Sequence, residues 1–485
     1  MTLYETIAND IRDLIRSGVL KYTDKLPSIR KASQMFDVSP ATIQQAYYLL
    51  ETQGIIYAKE RSGFYVKPAF QKATHPQLGP VMKVCPKETE VEVSDFIFSV
   101  LNAHKDHTNI PFGSAFPSPD LFPINHLSTS MAKGMGCLAS TPYELVTDMA
   151  GGCTELKRQI ELRYLLNGLK TMEDEVVITS GAMEALSLSL QAVTNPGDLV
   201  AIESPCFYAI LQILERLQLR AVEIPVDVET GMDIEALGKS LERFEIKAIV
   251  LMTKFQNPVG CTIPKENLVK LYQLIKQYQV PAVIDDVYSE IYYGDVIPSY
   301  LKGLDDEGLV LHCDSFCKSL APGFRVGWVA AGRYATQIER LKLMTTISPS
   351  VPSQLAISHY LKHRHYDRHL AKLRAELEKS QKKMLSAIER YFPKEVLVSK
   401  PRGGYFLWLE LPEVIDALEL YRRALSHQIS IAPGPIFSAS QQYRHHIRLN
   451  YGMKWNGQLD EAMKTLGDLI ILMWTEAGIE ITKGQ

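Results

Sequence analysis

Two different patterns of apolar residues divide this chain near residue 67 and indicate two separate folds. Before that point, short runs of helical spacing are followed by two short β runs. From about residue 93 onward, apolar strands alternate with helices, which is the pattern of an α/β fold. The chain of 485 residues also exceeds what one hydrophobic core usually holds. We therefore predict a first domain over 1–67, a linker containing Pro and Lys over 68–91, and a second domain over 92–485.

The N-terminal segment predicts three helices followed by a hairpin. Apolar spacing indicates the first helix over 3–15, Ser28 can cap the second, and the third spans about 40–53. Two β runs follow at 55–58 and 63–66, joined by a polar turn. A helix, a helix-turn-helix and a hairpin in this order predict a winged helix-turn-helix, a small α+β domain.

A winged helix-turn-helix places its third helix in the DNA major groove and its hairpin along the backbone. The predicted DNA-binding residues are Arg30, Ser39, Thr42, Gln44, Gln45, Arg61 and Gly63. The whole chain has a formal net charge of −3, which excludes a protein whose surface is basic throughout. Residues 1–67 carry nine Lys and Arg against seven Asp and Glu, so the geometry indicates DNA binding more strongly than the charge does. A small domain for protein contact is the alternative.

Lys318 lies in surroundings that suit a lysine carrying an aldehyde cofactor. It follows the apolar run at 308–312, so we expect it just beyond a buried strand. Ser315 precedes it by three residues and Arg325 follows it by seven. This hydroxyl and guanidinium can hold a phosphate while the amine forms a Schiff base, which is what pyridoxal phosphate requires. A surface lysine in a loop is the alternative.

Two earlier strands end in residues that suit the same cofactor. After the first of them, Ser180, Gly181 and Ala182 turn directly into a helix, whose unpaired backbone N–H groups can bind phosphate. Phe207 follows the next strand and can lie over a flat ring. A core aromatic is the alternative for Phe207.

Asn257, Asp285 and Arg448 also lie in or just after predicted strands. The Asn257 amide can bond a phenolic oxygen, and Arg448 can hold a carboxylate in two hydrogen bonds. Asp285 follows the strand at 280–284, and a carboxylate facing a pyridine nitrogen makes the ring an electron sink. A helix cap is the alternative for Asp285, although Asp286 suits that role better. A structural salt bridge is the alternative for Arg448.

Both parts of the chain resemble known families. The N-terminal segment resembles the DNA-binding domain of GntR-family transcription factors, in motifs at 26–30, 38–43, 47–54 and 62–66. Residues 95–475 resemble fold-type I pyridoxal-phosphate enzymes of the aspartate aminotransferase superfamily. A winged helix joined by a linker to such a domain is similar to the MocR subfamily of GntR regulators, over the whole chain.

The aminotransferase resemblance implies a large domain with a mostly parallel sheet, a smaller α/β domain, and pyridoxal 5'-phosphate as cofactor. It implies Lys318 as the Schiff-base lysine, Asp285 as the partner of the pyridine nitrogen, and Tyr288 with Asn257 at the ring oxygen. Lys318, Asp285 and Tyr288 would be the catalytic residues, and Phe207 would stack on the ring. The phosphate would be held by Ser180, Gly181, Ala182, Ser315 and Arg325.

The MocR resemblance implies a homodimer that binds double-stranded DNA and senses an amino acid, an amine or the cofactor through an aldimine at Lys318. Arg448, together with Asn257, would bind the α-carboxylate of the ligand. An aminotransferase with real turnover is the first alternative, and a regulator with residual transaminase activity lies between the two. A DNA-binding protein with an empty dimerisation scaffold is the second.

The chain departs from these families in two places. Pro40 and Gln44 stand where the recognition helix often carries arginines, so the family's base-reading pattern does not transfer. Thr147 stands where the aminotransferases place a Tyr that reaches the phosphate of the other subunit.

Several other classes of protein are not indicated. No apolar run approaches the roughly 20 residues of a membrane span, and the start of the chain does not resemble a signal peptide, so we expect a cytoplasmic protein. The seven cysteines form no Cys-x-x-Cys pair, which argues against a disulfide framework or a zinc knuckle. The histidine- and arginine-rich segment at 362–369 predicts a solvated helix or turn and no metal site.

Overall fold

A computed structural model of the chain shows two compact units. The first comprises Met1–Ala73 and the second nearly all of the remaining chain. The described residues are 3–16, 20, 24–52, 55–59, 63–66, 86–102, 108–140, 151–169, 171, 174–294 and 297–478. None of the helices within these ranges is both long and apolar enough to cross a membrane.

The first unit is a winged helix-turn-helix, as the sequence predicts. Its elements are α1 (Leu3–Arg16), α2 (Ile29–Met35), α3 (Pro40–Thr52) and the antiparallel strands β1 (Ile56–Lys59) and β2 (Gly63–Val66). The hydroxyls of Ser28 and Ser39 accept hydrogen bonds from first-turn amides of α2 and α3, at 3.3 and 3.2 Å. Buried apolar side chains from all five elements, among them Ile7, Ile43 and Val66, form a single core.

The second unit is built around a large mixed sheet with a parallel centre. In spatial order its strands are β3 (Glu88–Glu90), β7 (Arg220–Asp227), β6 (Leu199–Ser204), β9 (Ile246–Leu251), β10 (Ala282–Asp285), β11 (Val310–Ser315), β12 (Gly327–Ala330) and β5 (Val176–Thr179), and β8 (Gly231–Met232) pairs with β7. The strands from β7 to β11 run parallel, and the outer pairs are antiparallel. Strand β3 lies inside the range predicted as linker.

Helices follow most of these strands. They are α4 (Ser94–Asn102), α5 (Ile124–Ser140), α6 (Thr154–Leu166), α7 (Ala182–Val193), α8 (Tyr208–Arg216), α9 (Ile234–Arg243), α10 (Lys265–Tyr278), α11 (Ala335–Leu343), α12 (Val351–His363) and α13 (Tyr366–Tyr391). Successive residues of the central strand β10 enter two different cores: Val283 belongs to one and Ile284 to the other. The sheet is therefore covered on both faces, as parallel sheets usually are.

A smaller antiparallel sheet follows the long helix α13. Its strands in order are β13 (Leu397–Val398), β14 (Phe406–Glu410), β17 (His446–Asn450) and β16 (Ala432–Pro433), accompanied by α14 (Ala417–Ser426) and α15 (Gly457–Glu476). A further parallel pair joins β4 (Ile110–Pro111) to β15 (Ile429–Ser430). Arg448 on β17 is in register with Trp408 on one side and Ala432 on the other. This central position explains why its guanidinium is fully buried.

Candidate functional site

Two neighbouring parallel strands end side by side and bring polar side chains to one edge of the large sheet. Asp285, the last residue of β10, is in register with Cys313 of β11. Ser315 is the last residue of β11, and Lys318 follows it by three residues. Ligands of open α/β sheets bind at this carboxyl edge. The structure therefore brings together residues that the sequence places at or after strand ends, because parallel pairing determines which strand ends meet.

Lys318 is a partly buried amine within hydrogen-bonding reach of one backbone carbonyl. Its Nζ donates to the Ala115 carbonyl oxygen at 2.8 Å and lies 3.8 Å from the centre of the Phe116 ring. Burial, with the guanidinium groups of Arg448 and Arg325, lowers the pKa of Lys318 to about 8, against the opposing charge of Asp285. A larger fraction of this amine is therefore unprotonated near neutral pH, as a nucleophilic lysine requires.

Asp285 is a buried carboxyl without a cationic hydrogen-bond partner among the described residues. Its Oδ1 accepts a hydrogen bond of 3.5 Å from the backbone amide of Val287. Burial raises the pKa of Asp285 to about 7, the charge of Asp286 adds to the increase, and the ammonium of Lys318 opposes it. Such a carboxyl is suited to a protonated ring nitrogen, whose positive charge would stabilise its ionised form.

The turn between β5 and α7 faces the guanidinium of Arg325. The Arg325 Nη2 donates to the Ser180 carbonyl oxygen at 3.5 Å. Gly181 has a φ of +93°, and a Cβ atom added to it would lie 2.7 Å from Arg325 Nη2. Glycine therefore keeps space between the helix N-terminus that begins at Ala182 and the exposed guanidinium. A phosphate fits this arrangement of backbone amides and positive charge.

Among the buried donors that have no hydrogen-bond partner within the described part of the chain, two lie beside each other at this site. They are Nδ2 of Asn257 and Nε of Arg448. Arg448 Nη1 donates to Asn257 Oδ1 at 2.9 Å, and Arg448 Nη2 donates to the carbonyl oxygen of Gly113 at 2.6 Å. Buried donors without a partner are costly, so these two point to a bound acceptor. A phenolic oxygen beside Asn257 and a carboxylate beside Arg448 both fit.

The remaining predicted cofactor residues lie at or just beyond the ends of β6, β10 and β11. Tyr288 is buried, packs edge-on against Tyr405 at 5.2 Å between ring centres, and has its pKa raised by burial. Ser315 is buried at the end of β11. Phe207 is partly buried at the start of α8, and the next residue, Tyr208, is close enough to Arg448 for the guanidinium to affect its ionisation.

The structure also shows site residues that the sequence reasoning missed. We call Gly113-Ser114-Ala115-Phe116 the carbonyl loop, because its backbone oxygens accept from Lys318 and Arg448. Tyr405 donates to the same Ala115 oxygen at 3.2 Å, and Asn450 Nδ2 donates to the oxygens of Ser114 and Phe116 at 3.1 and 2.8 Å. Backbone carbonyls carry no sequence signal, so this loop could not be assigned to the site from its sequence.

The prediction that Asp286 caps a helix is wrong. Within the described residues no helix begins there, and Asp286 is fully buried. It accepts hydrogen bonds from Thr253 at 2.7 Å, Lys254 Nζ at 3.1 Å and His312 Nε2 at 3.2 Å. These partners hold the pKa of Asp286 well below its usual range despite burial. The Asp286 carboxylate therefore forms an ion pair with the buried Lys254 and is not a helix cap.

Most of the predicted DNA-binding residues lie on the surface of the first unit. Arg30, Gln44, Gln45 and Gly63 are exposed, and so is Ser39. Thr42 is partly buried, and its hydroxyl and backbone amide both contact the Ser39 hydroxyl.

The hydroxyls of Ser39 and Thr42 therefore form hydrogen bonds at the start of α3 and are less available to DNA. Arg61 in the wing and Thr147 in the second domain lie outside the described residues.

Comparisons with known proteins agree with both parts of this description. The aminotransferase class I and II family matches residues 148–466, and the bacterial regulatory proteins of the gntR family match residues 3–66. The uncharacterized HTH-type transcriptional regulator YdcR of Escherichia coli (strain K12) is 44% identical over 470 residues, covering 97% of this chain and 99% of that protein. The HTH-type transcriptional regulator NorG of Staphylococcus aureus (strain USA300) is 26% identical, covering 90% and 98%.

Solved aminotransferases share the fold of the second unit. Pyrococcus horikoshii kynurenine aminotransferase, in complex with PMP, has a TM-score of 0.72 and 28% identity, covering 78% of this chain and 94% of that one. The α-aminoadipate aminotransferase LysN of Thermus thermophilus has a TM-score of 0.71 and 27% identity, covering 78% and 95%.

Proposed function

This chain belongs to the aminotransferase class I and II family and carries a gntR-type DNA-binding domain, and we propose that it is a pyridoxal-phosphate-dependent transcriptional regulator whose DNA binding responds to an amino acid or amine. The proposal depends most on one observation. Lys318 and Arg448, the two groups suited to an amino acid, are both bonded to the carbonyl loop. A ligand that engages them takes the place of loop contacts.

The residues around Lys318 fit pyridoxal 5'-phosphate, which supplies an aldehyde that reacts reversibly with amines and a ring that withdraws electrons. Arg325 and the turn at Gly181 would bind the phosphate. The Asn257 amide would donate to the phenolic oxygen, and Asp285 would hold a proton on the ring nitrogen. Arg448 would orient the ligand through its carboxylate, using the Nε that has no partner within the described residues.

A homodimer is part of the proposal. Leu343, Met344 and Ile347, at and just beyond the end of α11, expose 50%, 74% and 53% of their surface. Exposed apolar side chains of this kind favour contact with a second copy, because that contact removes their apolar surface from water.

Ligand-dependent DNA binding is the direct test. Fluorescence anisotropy of a labelled promoter fragment is measured with the cofactor-loaded full chain, before and after each amino acid of a panel. We expect at least one amino acid to change the affinity or the footprint. Keto-acid formation is followed in the same samples. Steady turnover with no ligand effect on DNA binding would instead establish an aminotransferase.

We expect Arg30→Ala to weaken binding of this fragment by about 10-fold or more, because loss of a phosphate or base contact costs roughly 1–3 kcal/mol. Arg30 is exposed on α2 and is not part of the core of the first unit. The matched control is Arg390→Ala, which removes the same charge from α13 in the second unit. Equal affinities of the two variants would argue against DNA contact by α2.

We expect Arg448→Gln to remove the preference of the site for an amino acid over the matching decarboxylated amine. A charge-assisted bidentate contact contributes roughly 2–3 kcal/mol, so the preference should fall by about 30- to 150-fold. Calorimetric titration of the cofactor-loaded protein with both ligands measures it. Arg448→Lys keeps the charge without the planar guanidinium, so its preference for the amino acid should lie between those of the unaltered protein and Arg448→Gln. An unchanged preference in Arg448→Gln would place the carboxylate elsewhere.

A further inference from the structure

A groove of about 680 Å³ lies in the second unit, between the start of α13 and residues 120–126. We call it the basic groove, after the cations that line it, Arg364, Arg368, Lys372 and Lys454. Arg364 and Arg368 also line a second cleft beside it, of about 300 Å³. This groove includes part of the histidine- and arginine-rich segment that the sequence singled out and that the proposed function leaves unused.

Asp120 and Glu376 also line the basic groove, so among the described residues its four cations face two carboxylates. Arg364, Arg368 and Lys372 form no ion pair within the described part of the chain, whereas Lys454 pairs with Asp120 at 3.1 Å. Other cations further along α13 do pair with acidic residues, namely Lys379 with Glu376, Lys382 with Glu378 and Arg390 with Asp460. Arg368 and Lys372 on α13 are four residues apart, a spacing at which like charges repel on a helix, and Arg364 lies in the turn just before that helix. A bound anion would offset this repulsion.

The shape and lining of the basic groove favour a small molecule over a nucleic acid. Its volume lies within the range of small-molecule pockets, roughly 300–1,000 Å³. Leu121, Phe122 and Leu373 line it together with the cations, so that it offers apolar surface as well as charge. Phosphate contacts to DNA need charge on an accessible surface and no concave apolar wall.

We propose that the basic groove is a second ligand site, for a small phosphomonoester with an apolar organic group. Guanidinium groups bind phosphate oxygens in a planar, bidentate geometry, and Arg364 with Arg368 supplies two of them. The groove also touches the loop that carries Lys318. His369, which lines it, donates from Nε2 to the carbonyl oxygen of Ser319 at 2.7 Å. A ligand in the groove would therefore lie beside His369, which is hydrogen-bonded to Ser319, the residue that follows Lys318.

The test titrates phenyl phosphate into the full chain loaded with pyridoxal phosphate, so that the phosphate donors beside Lys318 are already occupied. Binding is followed by calorimetry. We expect saturable binding that Arg368→Gln/Lys372→Gln weakens at least 10-fold. The matched control, Lys382→Gln/Arg390→Gln, removes two positive charges from the same helix whose acidic partners do not line the groove, and it should bind phenyl phosphate like the unaltered protein.

Three results would overturn the proposal. One is the absence of saturable binding, and another is equal weakening in both double variants, which would indicate a general effect of charge. The third is a fall in DNA affinity of Arg368→Gln/Lys372→Gln without phenyl phosphate binding to the unaltered protein, which would make the groove a contact for DNA phosphates. Both substituted side chains are exposed, so the variants should fold.

Discussion

Replacing Lys318 with alanine is expected to abolish covalent attachment of pyridoxal phosphate and, with it, the response of DNA binding to amino acids. A second buried lysine, Lys254, makes this a sharp test, because burial lowers the pKa of both amines to about 8. Lys254 is fully buried and bonded to Asp286, whereas Lys318 is partly exposed beside Asp285. Of these two amines, Lys318 is therefore the one that can reach an aldehyde.

Borohydride reduction followed by peptide mass spectrometry identifies the attached lysine. We expect the label on Lys318 in the unaltered protein and on no lysine of Lys318→Ala. Lys318→Arg serves as the control, since it keeps a positive charge near Asp285 without a reactive primary amine, and it should also remain unlabelled. A label on Lys254 in any of the three proteins would show that the wrong amine has been assigned.

Asp285→Asn is expected to stabilise the cofactor-free protein at neutral and alkaline pH. Burial raises the pKa of Asp285 from 3.8 to about 7 in the folded state, while the unfolded chain keeps the lower value. The stability that this proton provides is fully present below about pH 4 and is lost as the pH rises through about 7. A shift of roughly three pKa units corresponds to about 4 kcal/mol, which is an upper estimate of the gain from removing the charge.

Urea unfolding of the two cofactor-free proteins at about pH 5 and pH 8 measures this effect. The advantage of Asp285→Asn over the unaltered protein should be larger at pH 8. With cofactor bound the order should reverse, because an asparagine cannot hold a proton on the ring nitrogen. An advantage that does not change with pH would mean that the Asp285 carboxyl is not held protonated by burial.

The placement of the candidate site residues could be predicted from the sequence where strand order determines it. Asp285, Ser315 and Lys318 follow buried parallel strands, and the ends of such strands meet without any further information. Asn257 and Arg448 were also predicted, yet their hydrogen bond at 2.9 Å joins residues 191 positions apart and could not be read from either segment.

The wrong interpretation of Asp286 and the missed carbonyl loop depend on contacts that the local sequence does not reveal. Asp286 follows Asp285 directly, and local rules for helix caps fit it, but its partner Lys254 comes from the segment after β9 and its partner His312 from β11. The carbonyl loop was missed because it acts through backbone oxygens, which every residue carries. Local patterns therefore predicted where strands end, whereas the hydrogen-bond partners of the site residues depend on contacts between distant segments.

If an amino acid binds as we propose, the carbonyl loop also affects how much ligand the protein needs. Its oxygens are tethered to the same chain as Arg448 and Lys318, so they compete with a ligand at a fixed local concentration that dilution does not change. Only the fraction of molecules with the loop released can accept a carboxylate, and the apparent affinity is reduced by that fraction. Under the proposed function, the contacts that Tyr405 and Asn450 make with this loop would therefore set the concentration of amino acid at which the protein responds.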